Sequence, residues 1–239
     1  MKAVILAGGK GTRLSPYTKI LPKPLMPIGD MPILEILLLQ MKRAGVDEAI
    51  LTVGHMAGLL RAFFEDGQRI GVHIRYSYEN TPLGTAGPLA LVDGLTDTFL
   101  VANGDVLTTL DIGKLVAFHK EQGGVATIAM HQRHVKIDLG VMECEDGHRI
   151  IGYNEKPVID YLASMGIYVF EPRVLAFIPK GQYLDFPDLV KQLIAAGEIV
   201  KGYPFDGYWQ DLGRPDDYEQ AAQDFDRMRS QFLPEEVVE

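Results

Sequence analysis

Apolar and polar positions along this chain fall into short runs of two kinds. Ala3 to Ala7 is a continuous apolar run of strand length followed at once by glycines, the pattern of a strand buried on both faces. After a proline-rich stretch (Pro16, Pro22, Pro24, Pro27), Pro32 opens a segment in which Ile33, Ile36, Leu37 and Met41 recur at helical spacing, and Gly45 ends it. A strand at Ala49–Val53, a helix at Gly58–Phe64, a strand at Val72–Tyr76, a helix at Thr85–Val92 and a strand at Thr98–Ala102 continue the alternation. Such alternation predicts an α/β fold: a Rossmann-like, doubly wound sheet with helices on both faces. The second half is less regular. Val125–His131, Gly140–Glu143, Arg149–Tyr153 and Met165–Phe170 read as strands with few helices between them, which makes the sheet mixed and adds a small β layer. Helices return at Phe186–Ala196 and Pro215–Met228, and Leu233–Glu239 reads as a frayed end. No repeat, low-complexity linker or charge block divides the chain, so residues 1–239 read as one domain whose halves meet near residue 110.

Composition narrows the function classes. With 47% hydrophobic and 23% charged residues over 239 positions, the chain is long enough for one sizeable core. The apolar run Ile33–Leu39 is interrupted by Glu35 and falls far short of the roughly 20 residues needed to span a bilayer. Ala3–Ala7 is too short for the apolar core of a signal peptide, so the expected location is the cytoplasm. A single cysteine, Cys144, and six scattered histidines offer neither a disulfide nor a Cys/His zinc spacing. A formal net charge of −9 argues against nucleic acid or an anionic membrane as partner. An anionic substrate must then be held by a local cluster of cations, by backbone N–H groups or through a metal.

The segment Leu6–Pro24, LAGGKGTRLSPYTKILPKP, places a glycine-rich loop directly after the first strand, where open α/β sheets bind ligands. Gly8, Gly9 and Gly11 let the backbone approach phosphates closely, and Arg13 and Lys23 add fixed positive charge. The spacing fits neither the P-loop nor the dinucleotide G-x-G-x-x-G. It resembles the signature of the sugar-1-phosphate nucleotidylyltransferase (sugar-nucleotide pyrophosphorylase) family, G-G-x-G-T-R-L-x-P-x-T followed by P-K-P, at every fixed position. The resemblance implies nucleotide contacts at Leu6, Ala7, Gly8, Gly9, Gly11, Thr12 and Arg13. It further implies that Arg13 holds the triphosphate and helps pyrophosphate leave, and that Lys23 contacts the phosphate under attack.

Phe99–Asp105, FLVANGD, is an apolar strand ending in Asn-Gly-Asp. Asn103-Gly104 is a hairpin signal, yet Val106–Leu110 does not return as a clear alternating strand, and a strand-end Asp105 is a hard oxygen ligand suited to Mg²⁺. In Tyr208–Tyr218, YWQDLGRPDDY, a helix start at Pro215 explains Asp216 and Asp217 but not Asp211. The family carries W-x-D-x-G here, and the resemblance implies that Asp211 joins Asp105 in holding the metal, with Asn103 and Gly104 on the nucleotide side.

Further roles follow from the resemblance alone. An E-K-P after a strand assigns Glu155 to the sugar hydroxyls and Lys156 to the sugar phosphate, with Gly140, Ser164 and Gly166 lining the sugar side. The segment Pro82–Leu91, containing Gly84 and following Glu79, looks most like mannose-1-phosphate guanylyltransferases, and a carboxylate at Glu79 suits the donors of guanine. Segment Leu162–Phe170 looks closer to glucose-1-phosphate adenylyltransferases. The expected activity is therefore transfer from an NTP, GTP favoured, to a sugar 1-phosphate of mannose or heptose type. Thymidylyl, uridylyl or adenylyl transfer to glucose 1-phosphate is the alternative. The oligomeric state stays open, a homodimer included. Two rivals make different demands: a nicotinamide-dependent oxidoreductase needs Asp30 or Glu35 on a ribose, and a non-catalytic nucleotide-sugar sensor needs none of the four charged residues. His131 and His134 would pair on a metal only if their stretch were helical, and its pattern reads as strand.

Overall fold

The computed structural model describes residues 1–234. Its strands are β1 (Lys2–Leu6), β2 (Pro27–Ile28), β3 (Met31–Pro32), β4 (Glu48–Val53), β5 (His73–Tyr78), β6 (Phe99–Asn103), β7 (Val106–Thr108), β8 (Ala126–Lys136), β9 (Gly140–Glu145), β10 (Arg149–Glu155), β11 (Val158–Phe170), β12 (Val200–Phe205) and β13 (Trp209–Asp211). Its α-helices are α1 (Ile33–Arg43), α2 (Ala57–Phe64), α3 (Ile112–Gln122), α4 (Phe186–Ala195) and α5 (Pro215–Phe232). A seven-stranded sheet runs in the order β12-β8-β11-β6-β1-β4-β5. All neighbours pair in parallel except β11, which is antiparallel to both β6 and β8. The expected mixed, doubly wound sheet is what forms.

Alternation along the strands sends side chains to two different layers. Ala3, Ile5, Leu100 and Ala102 meet α1, α2 and α3 through Leu34, Leu37, Leu60, Phe64, Ile112 and Leu115. Val4, Phe99 and Val101 face the other way, against Leu89, Val174 and the α4 residues Phe186, Leu189 and Leu193. There Phe99 lies 6.0 Å from Phe170, and Tyr168 stacks on Phe186 at 4.4 Å. A third cluster uses the far side of α1: Ile33 and Ile36 pack with Leu107, Leu212, Ala221, Phe225 and Phe232. The buried Gln40 locks this layer by donating to the carbonyls of Thr108 (2.8 Å) and Phe232 (3.0 Å).

The structure corrects several expectations. Thr85–Val92 is not an α-helix but holds a short 3₁₀ turn, Gly87–Leu91, because Pro88 lacks an N–H and the amides of Ala86 and Gly87 are taken by the Leu184 carbonyl. Helix α3 was not anticipated. Asp111 caps it by accepting from the Lys114 N–H at 3.0 Å, and its inward face carries His119, whose polarity interrupts the apolar pattern. His119 is buried between Thr127 Oγ1 (2.8 Å) and Glu171 Oε1 (3.1 Å). Val106–Thr108 is a strand after all, though it does not fold back on β6 as a hairpin would. It pairs with β13. His131 and His134 lie on β8, as their pattern indicates. Residues 235–239 of the segment expected to fray lie outside the described residues; Leu233 packs on the third cluster and the Pro234 carbonyl accepts from Arg43. Among the described residues no helix is long and apolar enough to cross a membrane.

Candidate active site

The carboxyl ends of β6, β1, β4 and β5 form one rim, and the segments that leave it line a cleft of about 950 Å³. Backbone hydrogen bonds hold these exits together beyond the strands: Ala7 N–H donates to Thr52 O (2.9 Å), Glu79 N–H to Val53 O (2.9 Å) and Gly104 N–H to Leu6 O (3.0 Å). The glycine loop is thus fixed on both sides. Gly11 has φ of 61°, a left-handed conformation that favours glycine, and its carbonyl accepts from Thr18 Oγ1 at 2.8 Å. A Cβ on Gly8 would lie 2.7 Å from Glu79 Oε1, so the loop and the Glu79 carboxylate are in direct contact.

The acidic pair is brought together by a ladder. In the β7–β13 pairing Asp211 stands opposite Val106, and the Leu212 N–H donates to the Asp105 carbonyl at 3.2 Å. Asp105 and Asp211 therefore occupy neighbouring positions at the rim. The Lys23 ammonium donates to Asp105 Oδ2 and lies 3.5 Å from Asp211 Oδ1. The Lys23 side chain is nearly buried, at 11% exposure, while those of Asp105 and Asp211 keep 22% and 45%. Arg13 completes the cluster: a Cβ on Gly213 would sit 3.1 Å from Arg13 Nη1 and 3.4 Å from Asp211 Oδ2.

Two carboxylates turned toward one cation are a donor set that fits a divalent ion. Among the described residues no three His, Cys, Asp or Glu side chains gather around one point. A hard ion held here would complete its shell from water and substrate phosphate, as Mg²⁺ commonly does.

Leu6, Ala7, Gly8, Gly9, Gly11, Thr12, Arg13, Lys23, Glu79, Gly84, Asn103 and Asp105 all line the cleft. Gly104 does not; it packs beneath, where a Cβ would lie 3.0 Å from Leu6 O. Gly166 touches the site from β11, a Cβ there falling 2.5 Å from Asn103 Nδ2. Ser164 is turned to its own strand, donating to Tyr168 OH (3.1 Å) and accepting from the Gly166 N–H (3.3 Å). Gly140, Glu155 and Lys156 are not brought to the cleft. Gly140 and Glu155 sit on the β9–β10 hairpin, which continues the β8–β11 ladder as an exposed arm, Lys156 lies in the link from β10 to β11, and Glu155 accepts from Tyr153 OH at 2.8 Å. From Ser164 to Val158 the arm rises about 20 Å, at ~3.4 Å per residue.

Sequence reasoning missed other lining residues: Lys10, Thr52, Gly54, His55, Tyr183 and Asp185. Gly54 and His55 were within reach, because they follow β4 as the glycine loop follows β1, and ligands gather at strand ends. Nothing local marks Tyr183 or Asp185. The ribose acid demanded by a dinucleotide site is absent from the cleft lining: Glu35 is held by Arg69 at 2.6 and 3.0 Å, and Asp30 by Arg229 at 2.6 and 3.2 Å.

Comparison with known proteins identifies the family. The profile of the nucleotidyl transferase family matches residues 2–227. The chain belongs to that family. Among curated nucleotidyl transferase relatives, a UTP–glucose-1-phosphate uridylyltransferase of Synechocystis is 38% identical over 92% of this chain. A mannose-1-phosphate guanylyltransferase of Mycobacterium tuberculosis is 35% identical over 94%. The chain spans 62% and 64% of the lengths of these two relatives. A Bacillus anthracis structure provisionally assigned as a glucose-1-phosphate thymidylyltransferase superposes with a TM-score of 0.76 at 27% identity, covering 93% of this chain and 94% of the other. These relatives thus differ in both base and sugar.

Proposed function

We propose that this chain transfers a nucleoside monophosphate from an NTP to a sugar 1-phosphate and releases pyrophosphate. The observation that carries this reading is the meeting of Lys23, Asp105 and Asp211 beside the glycine loop. A sugar-phosphate oxygen attacks the α-phosphorus of the NTP while the bond to the bridging oxygen breaks and pyrophosphate departs. The attacking monoester has a second pKa of about 6, so near neutral pH it is largely ionised and needs no general base. Catalysis then rests on positioning and charge neutralisation. Backbone amides of Gly8, Gly9 and Gly11 cradle phosphate, Arg13 offsets charge on the departing pyrophosphate, and Lys23 does so at the phosphate under attack. Asp105 and Asp211 would hold Mg²⁺, which when bound supplies further neutralisation of phosphate charge. Glu155 and Lys156 are the proposed sugar and sugar-phosphate contacts, which requires the arm to bend over the cleft.

For the base and sugar, GTP with a mannose-type 1-phosphate is the first reading. Several relatives carry the guanylyltransferase name, and the Glu79 carboxylate in the cleft can accept from the ring N–H and amino group of guanine. The uridylyltransferase relative supports a second reading, UTP with glucose 1-phosphate. The test is a matrix of GTP, UTP, dTTP, ATP and CTP against mannose, glucose, heptose and amino-sugar 1-phosphates, read by pyrophosphate release in the presence of Mg²⁺. One preferred GTP–mannose pair is expected. Preference for UTP and glucose would replace the first reading by the second, and no release from any pair would sink the activity.

A further inference from the structure

The far end of the cleft carries one aromatic ring, that of Tyr183, which the transfer chemistry does not use. Along the rim, Asp105 follows β6 and Glu79 follows β5, three strands away. At ~4.8 Å between strands the two strand ends stand about 14 Å apart, so the cleft runs from the charged cluster past the glycine loop, which the Glu79 carboxylate touches, to the exit of β5. Beside Glu79 runs the segment 83–87, which is joined to residues 182–186 by a dense set of bonds. Leu184 N–H donates to Leu83 O (2.9 Å), and the amides of Ala86 and Gly87 donate to Leu184 O (2.9 and 3.0 Å). Gly84, with φ of 79°, lies so close that a Cβ would fall 2.5 Å from Leu184 O.

Asp185 ties this junction to a ring. Its Oδ1 accepts from the Thr85 N–H (2.9 Å) and Thr85 Oγ1 (3.1 Å), and its Oδ2 accepts from Tyr183 OH (2.7 Å). Thr85 Oγ1 in turn accepts from the Phe186 N–H at 2.8 Å. The Tyr183 hydroxyl holds the Asp185 carboxyl below its ordinary range, and the same carboxylate raises the Tyr183 phenol. The ring is nevertheless 64% exposed, and it lines the cleft with Glu79, Pro82 and Gly84. Among the described residues that line the cleft, only Tyr183 and His55 carry aromatic rings. A tethered tip with an open face is the arrangement in which a flat heterocycle gains by stacking, since the hydrogen bond to Asp185 restrains the ring beforehand.

We propose that Tyr183 stacks on the nucleobase of the bound NTP and that Asp185 is a positioning residue, holding the ring and the 83–87 segment as one unit. This deepens the reading of the cleft as an NTP site and rests on it. Stacking is tolerant of base identity because every base offers a π-face. Tyr183 therefore contributes affinity, and Glu79 retains the choice of base.

The test is calorimetric binding of GTP, UTP and inorganic tripolyphosphate to the full chain without sugar phosphate, so that no turnover is needed. Tyr183→Ala is expected to weaken both nucleotides about tenfold and leave tripolyphosphate within twofold. Tyr183→Phe keeps the ring and should stay within about threefold of the parent. Asp185→Asn should weaken nucleotides by an intermediate factor with an unchanged melting temperature; if its melting temperature falls, the two Tyr183 variants decide alone. Unchanged nucleotide affinity in Tyr183→Ala, or an equal loss for tripolyphosphate, would overturn the proposal. Nucleotide binding that depends on Tyr183 in a protein that releases no pyrophosphate would uphold this inference and defeat only the proposed activity.

Discussion

The rim of the sheet and the β9–β10 arm differ in how they are held. At the rim, all the predicted nucleotide residues except Gly84 lie at or just after the carboxyl ends of β1, β5 and β6, and neighbouring exits bond to one another across β6, β1, β4 and β5. On the arm, Leu139, Met142, Ile150, Ile151 and Tyr153 are all more than half exposed, and Glu155 and Lys156 face solvent beside one another. The rim is built before substrate arrives, whereas the arm has few buried contacts to fix its direction. On the proposed reading the rim therefore contributes geometry to nucleotide binding, and the arm must acquire it to reach the sugar.

Stability gives the largest contrast. Phe99→Ala, which empties a fully buried site at the start of β6, the strand that leads to Asp105 at its other end, should cost about 3–5 kcal/mol in urea unfolding. Ile150→Ser on the arm should change stability by less than about 0.5 kcal/mol. Equal losses would mean that the arm is as firmly packed as the rim. Next in size, Asp105→Asn should lower turnover roughly a hundredfold or more while leaving the unfolding curve in place. Near-normal turnover would remove Asp105 from the chemistry. Lys156→Ala should raise the KM for sugar phosphate about tenfold with NTP affinity unchanged, the loss of one charge-assisted contact. An unchanged KM would show that the arm stays clear of the sugar.

The smallest effect concerns pH. Burial raises the Glu79 pKa above its ordinary 4.5, with the Leu83 N–H pulling weakly the other way. If guanine donates to this carboxylate, binding requires the ionised form, so GTP affinity falls as pH drops through that raised pKa. The decline should begin at higher pH than an ordinary glutamate would give and approach about tenfold per pH unit below it. Titration calorimetry with tripolyphosphate as control should show the slope in the parent and lose it in Glu79→Gln.

Legibility in the sequence followed the same division. Strand β1 and its glycine loop could be read because a continuous apolar run followed by Gly8, Gly9 and Gly11 has few alternative structures. Helix α3 could not, because its inward His119 is satisfied by Thr127 and Glu171, partners fixed only by tertiary structure. Asp105 was visible as a strand-end acid. Its nearness to Asp211 was reachable only by resemblance, since the two meet through a β7–β13 pairing that no local pattern announces. Tyr183 and Asp185 stayed hidden for the same reason: Tyr183 is held by Asp185, and Asp185 by Thr85 a hundred residues away.

That pairing also sets an order of events during synthesis. Asp105 lies 82 residues after Lys23 and Asp211 lies 188 residues after it. A nascent chain leaving the ribosome presents the glycine loop and the first acid long before the second exists. A fragment ending at Gly207 would lack all of β13 and hence the partner of β7. Ribosomal output thus remains without the second acid until residue 211 has been added.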